Sequence, residues 1–237
     1  MKKYNTKIHN PHESTHNIPI SHMMVSGNTG SGKSNFLLNL LMQMQDTFQK
    51  VILVSKITEE PIYDMLKNRL GESNFESYTL GKMPSLAKFE KAQDAQYLMI
   101  FDDFIAEKSD IFNKLLEYGI RGRKQNMMCV FLVHDFFAKQ LKTLRLQCAT
   151  IVIMGATNQV SLANIVKTLA IDAPPNVIKT IVNNAVKFKL NACILNPQQT
   201  DINMKIRRNF NDFYQLVDAD NEPLEVIRLY DNDGIIN

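Results

Sequence analysis

The segment Gly27-Asn-Thr-Gly-Ser-Gly-Lys-Ser34 fits the pattern G-x-x-x-x-G-K-[S/T] at every fixed position. The apolar stretch 18–26 precedes it and predicts a buried strand, and 33–44 follows with apolar residues at helical spacing. A strand, a glycine-rich turn and a helix in this order are the setting in which this pattern holds phosphate groups. The sequence therefore predicts a phosphate-binding loop (P-loop) at residues 27–34.

The composition of this loop suits a nucleoside triphosphate. Glycines tolerate positive φ angles, so the backbone N–H groups can turn inward around an anion, and the positive end of the following helix adds to the attraction. Lys33 is expected to reach the β- and γ-phosphates, and the Ser34 hydroxyl to bind Mg²⁺. We therefore expect ATP with Mg²⁺, held by Gly27, Asn28, Thr29, Gly30, Ser31, Gly32, Lys33 and Ser34.

Two adjacent carboxylates, Asp102 and Asp103, follow the apolar run 97–101. A P-loop protein needs a carboxylate at the end of a neighbouring strand to hold the metal, and ligands collect at the carboxyl ends of strands in open α/β sheets. We predict that Asp102 binds Mg²⁺ and that Asp103 acts on the attacking water. A second acid favours hydrolysis over kinase chemistry, because a water must be activated. The alternative is a pair of acids that caps a helix.

Basic and polar side chains come next along the chain. Arg121 and Arg123 lie in the segment 119–124, from which an arginine could reach the γ-phosphate bound by a neighbouring subunit. His134 follows a predicted strand and could hydrogen-bond the γ-phosphate or the attacking water. Arg145 lies on a predicted helix and could face the nucleotide or a neighbour. A solvated basic turn and a structural histidine at a strand end are alternatives that these residues leave open.

Apolar strands alternate with helical segments along the chain. The predicted strands are 18–26, 51–54, 75–80, 97–101, 127–133 and 149–154, and a hairpin-like pair is predicted at 192–195 and 204–210. The predicted helices are 33–44, 58–70 with Thr58 as its N-cap, 85–91, 109–118, 137–146, 159–169 and 175–188. This alternation is typical of a parallel sheet with helices on both faces. We predict an α/β P-loop NTPase with a mainly parallel, RecA-like sheet.

The charge of the chain is unevenly distributed. The total is +3, from 27 Lys and Arg against 24 Asp and Glu, which argues against a polybasic coat for nucleic acid. Residues 105–147 carry a local charge of +4, residues 179–210 carry +5, and residues 211–237 carry −6. We predict a polar N-terminal arm at 1–17, an ATPase domain at 18–210 and an acidic C-terminal tail at 211–237.

Composition excludes several classes of protein. Apolar residues make up 45% and charged residues 22%, which excludes a disordered tail protein and a collagen-like fibre. Since no apolar run approaches the roughly 18 residues that cross a bilayer, no membrane span is expected. The three cysteines, all in apolar stretches, predict buried thiols in a reducing compartment. Three histidines in the N-terminal arm (His9, His12 and His16) could hold a metal, but no fourth ligand supports it.

The order of these motifs resembles the genome-packaging ATPases of large eukaryotic DNA viruses and virophages, which belong to the FtsK–HerA superfamily of P-loop motors. The stretches that carry the resemblance are GNTGSGKS, YLMIFDDF, LLEYGIRGRKQNMMCVFLVHDF and LKTLRLQCATIVIMGATN, and the resemblance covers roughly residues 18–157. The resemblance implies that Lys33 and Ser34 are Walker A residues and that Asp102 and Asp103 are the Walker B pair.

The resemblance extends, with two departures, to the basic residues. Arg123 matches the arginine of the family's Gly-Arg-His turn, but Lys124 stands where histidine is usual. His134 stands where a glutamine typically ends the fourth strand, and Arg145 matches a family arginine on the next helix. The region after Thr157 carries no motif that matches the family.

Such proteins form rings, usually hexameric, that push double-stranded DNA into a preformed capsid. The resemblance therefore implies a DNA-stimulated ATPase whose partners are double-stranded DNA, a capsid or portal-vertex protein and further copies of the chain. It implies a location in the virion or the viral factory of the host cytoplasm, and not secretion. Two alternatives are a P-loop nucleotide or small-molecule kinase, although no arginine-rich lid is evident, and a non-motor switch or assembly ATPase.

Overall fold

The computed structural model describes residues 20–89, 96–104, 109–155, 159–169, 174–199, 204–214 and 226–228. The predicted N-terminal arm with its three histidines, and most of the predicted acidic tail, lie outside these residues. The chain divides into two compact units. Unit 1 is made of the described residues within Met1–Met24, Leu37–Val133 and Ala138–Cys148, and unit 2 of those within Val25–Phe36, His134–Phe137 and Ala149–Asn237.

The elements on either side of the P-loop contribute residues to both units. They are strand β1 (Met23–Gly27), which is buried throughout, and helix α1 (Lys33–Gln43). The structure confirms the predicted strand, P-loop and helix in this order. It shortens the predicted strand 18–26, because residues 20–22 are not in the extended ladder and 18–19 lie outside the described residues.

Unit 1 is built on parallel strands. They are β2 (Lys50–Ser55), β3 (Phe75–Thr79), β4 (Tyr97–Asp102) and β5 (Met127–Val133). Within the described residues each pair of neighbours is parallel, in the order β5-β4-β2-β3. All seven residues of β5 are buried, which explains its unbroken apolar run. The parallel arrangement predicted from the apolar strands is therefore confirmed for this unit.

Three helices of unit 1 follow these strands along the chain. They are α2 (Pro61–Leu70), α3 (Ser109–Arg121) and α4 (Lys142–Gln147), with short 3₁₀ turns at Leu80–Lys82, Leu86–Phe89, Gly122–Gln125 and Lys139–Leu141. Thr58 is not the N-cap of α2, because this helix begins at Pro61, whose missing N–H and fixed φ suit the first helical position. The predicted helix 137–146 is a 3₁₀ turn followed by a shorter α-helix. Before it, the Asp135 carboxylate accepts a hydrogen bond from Phe137 N at 2.8 Å and holds a turn.

Unit 2 contains antiparallel strands. They are β6 (Thr150–Met154), β7 (Ala192–Leu195), β8 (Ile206–Arg208), β9 (Asp212–Tyr214) and β10 (Val226–Arg228), and each pairs antiparallel with the next. Helices α5 (Gln159–Leu169) and α6 (Pro175–Ala185) lie between β6 and β7 in the chain. The predicted hairpin corresponds to β7 and β8. Strands β9 and β10 extend this antiparallel region into residues that the sequence predicted as tail.

Aromatic rings fill the interior of unit 1. Phe101 of β4 and Phe131 of β5 lie opposite each other in the strand register, and their rings stack with centroids 5.3 Å apart. The Tyr118 ring of α3 meets Phe101 edge-on at 5.5 Å, and Phe104 meets Phe131 at 6.1 Å. All four side chains are buried, so this aromatic cluster joins α3 to the ends of two strands.

The three cysteines lie in these interiors as free thiols, Cys129 and Cys148 in unit 1 and Cys193 in unit 2. Burial raises the pKa of each thiol above its usual value, so all three stay protonated at neutral pH. The predicted buried thiols are confirmed. Within the described residues, no helix is long and apolar enough to cross a membrane.

A buried histidine, His22, lies just before β1 in unit 1. Its Nδ1 accepts a hydrogen bond from Cys129 N at 3.0 Å, so the imidazole is neutral and carries its proton on Nε2. The ring packs against Gly122, where an added Cβ would lie 3.6 Å from His22 Cε1. Burial, and then the positive charge of Arg123, lower the pKa of His22 to about 4.

We expect stability to fall as the pH drops from 7 to 5. In the unfolded chain a histidine takes up a proton near pH 6.5, whereas folded His22 resists protonation until about pH 4. The unfolded state therefore binds more protons in this range, and His22 alone removes about 2 kcal/mol of unfolding free energy. Urea melts at both pH values measure this loss. The variant His22→Asn keeps an acceptor for Cys129 N but cannot titrate, so its loss should be smaller by that amount. An equal loss in both proteins would contradict the assignment.

Candidate functional site

The P-loop forms a tight turn between β1 and α1. Ser31 N donates a hydrogen bond to Asn28 O at 3.1 Å, and Phe36 N donates to Gly32 O at 2.8 Å where α1 begins. Gly30 and Gly32 have φ angles of +74° and +98°, which residues other than glycine rarely adopt. The predicted phosphate-binding loop is therefore present, with its glycines at the positions where the backbone turns.

The P-loop backbone also lies very close to other parts of unit 2. A Cβ added at Gly27 would lie 2.6 Å from Met154 O at the end of β6, which is backbone and cannot move aside. A Cβ added at Gly32 would lie 2.6 Å from Leu190 Cδ2, in the loop between α6 and β7. The end of β6 and this loop thus form walls around the P-loop.

Lys33 lies inside this turn, with 9% of its surface exposed. Its Nζ donates to Gly27 O at 2.7 Å and to Asn28 O at 3.3 Å, and it lies 3.4 Å from His134 Nδ1. An ammonium group can only donate, so a hydrogen bond between these two atoms requires His134 Nδ1 to accept. The structure therefore brings two predicted site residues of unit 2, Lys33 and His134, into contact, and the His134 side chain is exposed.

The acidic strand end lies in unit 1. Asp102 is the last residue of β4 and is half-buried, whereas Asp103 is exposed and adopts a left-handed φ of +50°. Asp102 Oδ1 accepts a hydrogen bond from Asp103 N at 3.0 Å, and Asp102 Oδ2 accepts one from the Tyr63 hydroxyl. Both oxygens of Asp102 are thus held in place, while the Asp103 carboxylate is open to solvent.

Tyr63 is a site residue that the sequence did not predict. It lies on α2, is 1% exposed, and stands 39 residues from Asp102 in the chain. Burial, and then the negative charge of Asp102, raise the pKa of Tyr63 above its usual range, so its hydroxyl stays protonated and donates. No local pattern connects the two residues, since the contact depends on how α2 packs beside β4.

The three predicted arginines of unit 1 occupy different surroundings. Arg121 ends α3, where it forms an exposed ion pair with Glu117 at 3.1 Å, so it belongs to the helix and not to the predicted turn. Arg123 lies in the following 3₁₀ turn, is exposed, and donates to Gln147 O at 2.9 Å. Arg145 is half-buried on α4 and donates to Ala138 O at 3.4 Å.

The donor chemistry of the chain fits Mg²⁺ at a nucleotide. Mg²⁺ takes oxygen ligands, and it is usually held by one or two protein groups together with phosphate oxygens and water. The Ser34 hydroxyl and the Asp102 carboxylate supply oxygens of this kind. In the ranges that the structure describes, no group of three or more His, Cys, Asp or Glu residues could hold a metal by itself.

A family model described as poxvirus A32 protein matches residues 12–189, about three quarters of the chain. The chain belongs to this family. Its members are viral packaging ATPases, so the resemblance to genome-packaging ATPases predicted from the order of motifs is confirmed. The match includes the P-loop, the acidic pair and all three arginines. No curated protein matches the chain.

Solved structures show the same fold at low sequence identity. The DNA-packaging ATPase B204 of Sulfolobus turreted icosahedral virus is 13% identical, with a TM-score of 0.51 over 81% of this chain and 97% of that one. B204 of Sulfolobus turreted icosahedral virus 2, in complex with ATP-γS, is 12% identical, with a TM-score of 0.51 over 80% and 96%. The type VII secretion ATPase EccC of Thermomonospora curvata is 16% identical, with a TM-score of 0.54 over 85% of this chain and 26% of that one.

These matches confirm the predicted α/β P-loop NTPase fold. The family match supports ATPase activity and nucleotide binding. The individual roles of the site residues stay predictions.

We expect Tyr63→Phe to slow ATP hydrolysis by on the order of tenfold, because Asp102 loses the hydroxyl that orients one of its oxygens. The affinity for ATP should change little, since Tyr63 does not belong to the P-loop. Steady-state kinetics with purified protein separate kcat from KM, and a thermal melt checks the fold.

Tyr118→Phe is the matched control. Tyr118 is also buried in unit 1, and its hydroxyl donates to Pro84 O at 2.9 Å instead of to an acid. Its removal should leave kcat near that of the wild type. If both variants lose the same share of kcat, Tyr63 has only a structural role.

Proposed function

We propose that this protein is an ATP-hydrolysing motor that translocates double-stranded DNA and packages a viral genome into a preformed capsid. The observation that carries the proposal is the family match over residues 12–189, which includes every residue that we assign to the reaction. The geometry of the P-loop and of the acidic strand end supports it, because each supplies a part that hydrolysis of a nucleoside triphosphate requires.

In the proposed reaction, the P-loop N–H groups and Lys33 hold the β- and γ-phosphates of ATP. Asp103 orients the attacking water and accepts its proton, as the water oxygen bonds to the γ-phosphorus and the bond from that phosphorus to the bridging oxygen breaks. ADP and phosphate are the products. His134, which contacts Lys33 Nζ and is exposed, senses the γ-phosphate or the water.

Mg²⁺ would be held by the Ser34 hydroxyl and the Asp102 carboxylate, and would neutralise charge on the phosphate oxygens. The two hydrogen bonds to Asp102 suit this role, because they fix the direction of its lone pairs without removing its charge. Asp103 is exposed, and the hydrogen bond that it makes to Asp102 comes from its backbone N–H, which leaves its carboxylate available to a water molecule.

A ring of subunits would complete the site. Arg123 is exposed and lies outside the regular helices, so it is our first candidate to reach the nucleotide of a neighbouring subunit and stabilise the transition state. Arg121 and Arg145 are further candidates for a trans or sensor role. We propose a hexamer, as the resemblance to ring motors implies.

The distribution of charge supports two kinds of partner for such a ring, namely DNA and a capsid or portal-vertex protein. Phosphate contacts bind DNA without regard to sequence, and a ring multiplies every basic residue by the number of subunits. We propose that basic residues of 105–147 (local charge +4) and 179–210 (local charge +5) line the pore, with the exception of Arg207, which is buried. We propose that residues 18–210 form the motor, to which β9 and β10 of the acidic segment 211–237 add two strands, and that the acidic side chains of this segment face away from DNA or dock on a capsid or portal-vertex protein. The protein would then act in the virion or the cytoplasmic viral factory.

Double-stranded DNA should stimulate ATP hydrolysis by the wild-type protein, because a motor couples turnover to its track. Lys33→Ala should abolish ATP binding, and Asp103→Asn should keep ATP binding but lose about 100-fold in kcat. Phosphate release with and without DNA, and equilibrium ATP binding, measure these effects.

Glu72→Gln is the matched control for Asp103→Asn, because Glu72 is an exposed acid in an ion pair with Lys67. It should behave as the wild type. Turnover that DNA does not change would favour a kinase or a non-motor ATPase, and normal turnover by Asp103→Asn would place the base elsewhere.

Mixing Arg123→Ala protein with the wild type should reduce activity more steeply than dilution alone, because each mutant subunit withholds its arginine from a neighbour. Activity is measured at fixed total protein over a series of mutant fractions. Arg69→Ala, at an exposed arginine of α2, provides the control series. A linear decline with the fraction of Arg123→Ala would contradict a role in trans.

A further inference from the structure

The loop between α6 and β7 carries two large apolar side chains at the surface. Phe188 is 61% exposed and Leu190 is 50% exposed, and both belong to unit 2. This region carries no motif that matches the family. Two such side chains on one short loop make an apolar surface that a ligand could cover.

This loop touches the P-loop directly. Besides its Cδ2 at 2.6 Å, Leu190 has its Cα 3.6 Å from the position of a Cβ added at Gly32. Its backbone, and not only a mobile side-chain end, is therefore adjacent to the phosphate cradle. Leu190 also has a φ of +72°, which an L-residue rarely adopts without support from its surroundings.

Hydrogen bonds and a ring contact provide that support. Asn209, in the turn between β8 and β9, exchanges two hydrogen bonds with Ala192, at 2.8 and 2.9 Å, and its side chain donates to Asn191 Oδ1 at 3.3 Å. Its neighbour Phe210 stacks on Phe36 in the first turn of α1, with centroids 5.2 Å apart. The loop is thus tied to the helix that follows the P-loop.

The loop also carries positive charge. Lys187 Nζ lies 5.7 Å from the centroid of the Phe188 ring, and Lys189 is exposed between the two apolar residues. A ligand of this surface is therefore expected to combine an apolar, planar part with negative charge. A nucleoside triphosphate has both, and its phosphates already have a cradle next to this loop.

We propose that Phe188 and Leu190 form a platform for the nucleotide base. Phe188 stacks on the base, and Leu190 packs against it, between the base and the P-loop. This proposal rests on the proposed function, because it takes ATP to be the ligand of the P-loop. Stacking on an aromatic ring tolerates every base, so the platform adds affinity for the base without selecting strongly among bases.

The chain contains no tryptophan, which allows a direct test in the full-length protein. Phe188→Trp places the only indole of the protein on the platform. Mg-ATP should quench its fluorescence through stacking, whereas inorganic triphosphate, which has no base, should not. Equal responses to the two ligands, or no response to ATP when ATP is bound, would overturn the proposal.

Affinities measured with the same two ligands separate the platform from the P-loop. Phe188→Ala should weaken ATP binding about tenfold and leave inorganic triphosphate binding unchanged. Lys33→Ala should abolish the binding of both ligands. Met65→Ala, which removes an equally exposed side chain on α2, should change neither.

The outcomes distinguish failure of the platform from failure of the proposed function. If the wild type binds ATP and Phe188→Ala binds it equally well, the platform is wrong and the ATPase stands. If the wild type binds neither ligand, the proposed function fails and the platform fails with it. If Phe188→Ala loses ATP affinity and triphosphate affinity alike, the loop supports the P-loop and does not bind the base.

Discussion

The close packing of the P-loop backbone is the constraint on which the nucleotide site depends. Gly27 leaves no room for a side chain beside Met154 O, and Gly32 leaves none beside Leu190. These contacts fix the path of the loop, and that path places Gly27 O where it accepts from Lys33 Nζ. The lysine is therefore positioned by the backbone that surrounds the phosphates. The walls of the cradle come from the end of β6 and the loop before β7, so the C-terminal half of the chain builds the site as much as the motif does.

A second arrangement gives two adjacent carboxylates different properties. Asp102 ends a strand whose register continues to Ser55 of β2, and hydrogen bonds from Tyr63 and from Asp103 N hold its two oxygens. Charge-assisted bonds of this kind are roughly twice as strong as neutral ones. The left-handed backbone at Asp103 then turns the chain away from the strand and leaves the second carboxylate exposed. One strand end thus provides a fixed acid and an open one.

The sequence predicted the features that local patterns encode. The P-loop and the apolar strand that ends in two acids were predicted correctly, because each depends on neighbours in the chain. It missed Tyr63 and Leu190, whose contacts depend on packing between distant segments. Gly119 is a third case, because the predicted helix ended at the residue before it. A Cβ added at Gly119 would lie 2.6 Å from Leu144 Cδ2. Gly119 therefore allows close packing against α4, and the helix continues to Arg121.

The surroundings of Arg123 suit a residue that must leave its place to act. Neutral His22 packs against Gly122, the residue before Arg123, and a charged imidazole there would repel the guanidinium. Arg123 itself donates to Gln147 O at the negative end of α4. Such a bond contributes about 1 to 3 kcal/mol, and less where solvent competes for the donor. An arginine that stabilises a phosphoryl-transfer transition state raises the rate by roughly 10³- to 10⁵-fold, which corresponds to about 4 to 7 kcal/mol. If Arg123 acts in trans as proposed, the gain exceeds the loss, so the bond to Gln147 would not prevent the transfer of the arginine to a neighbouring nucleotide.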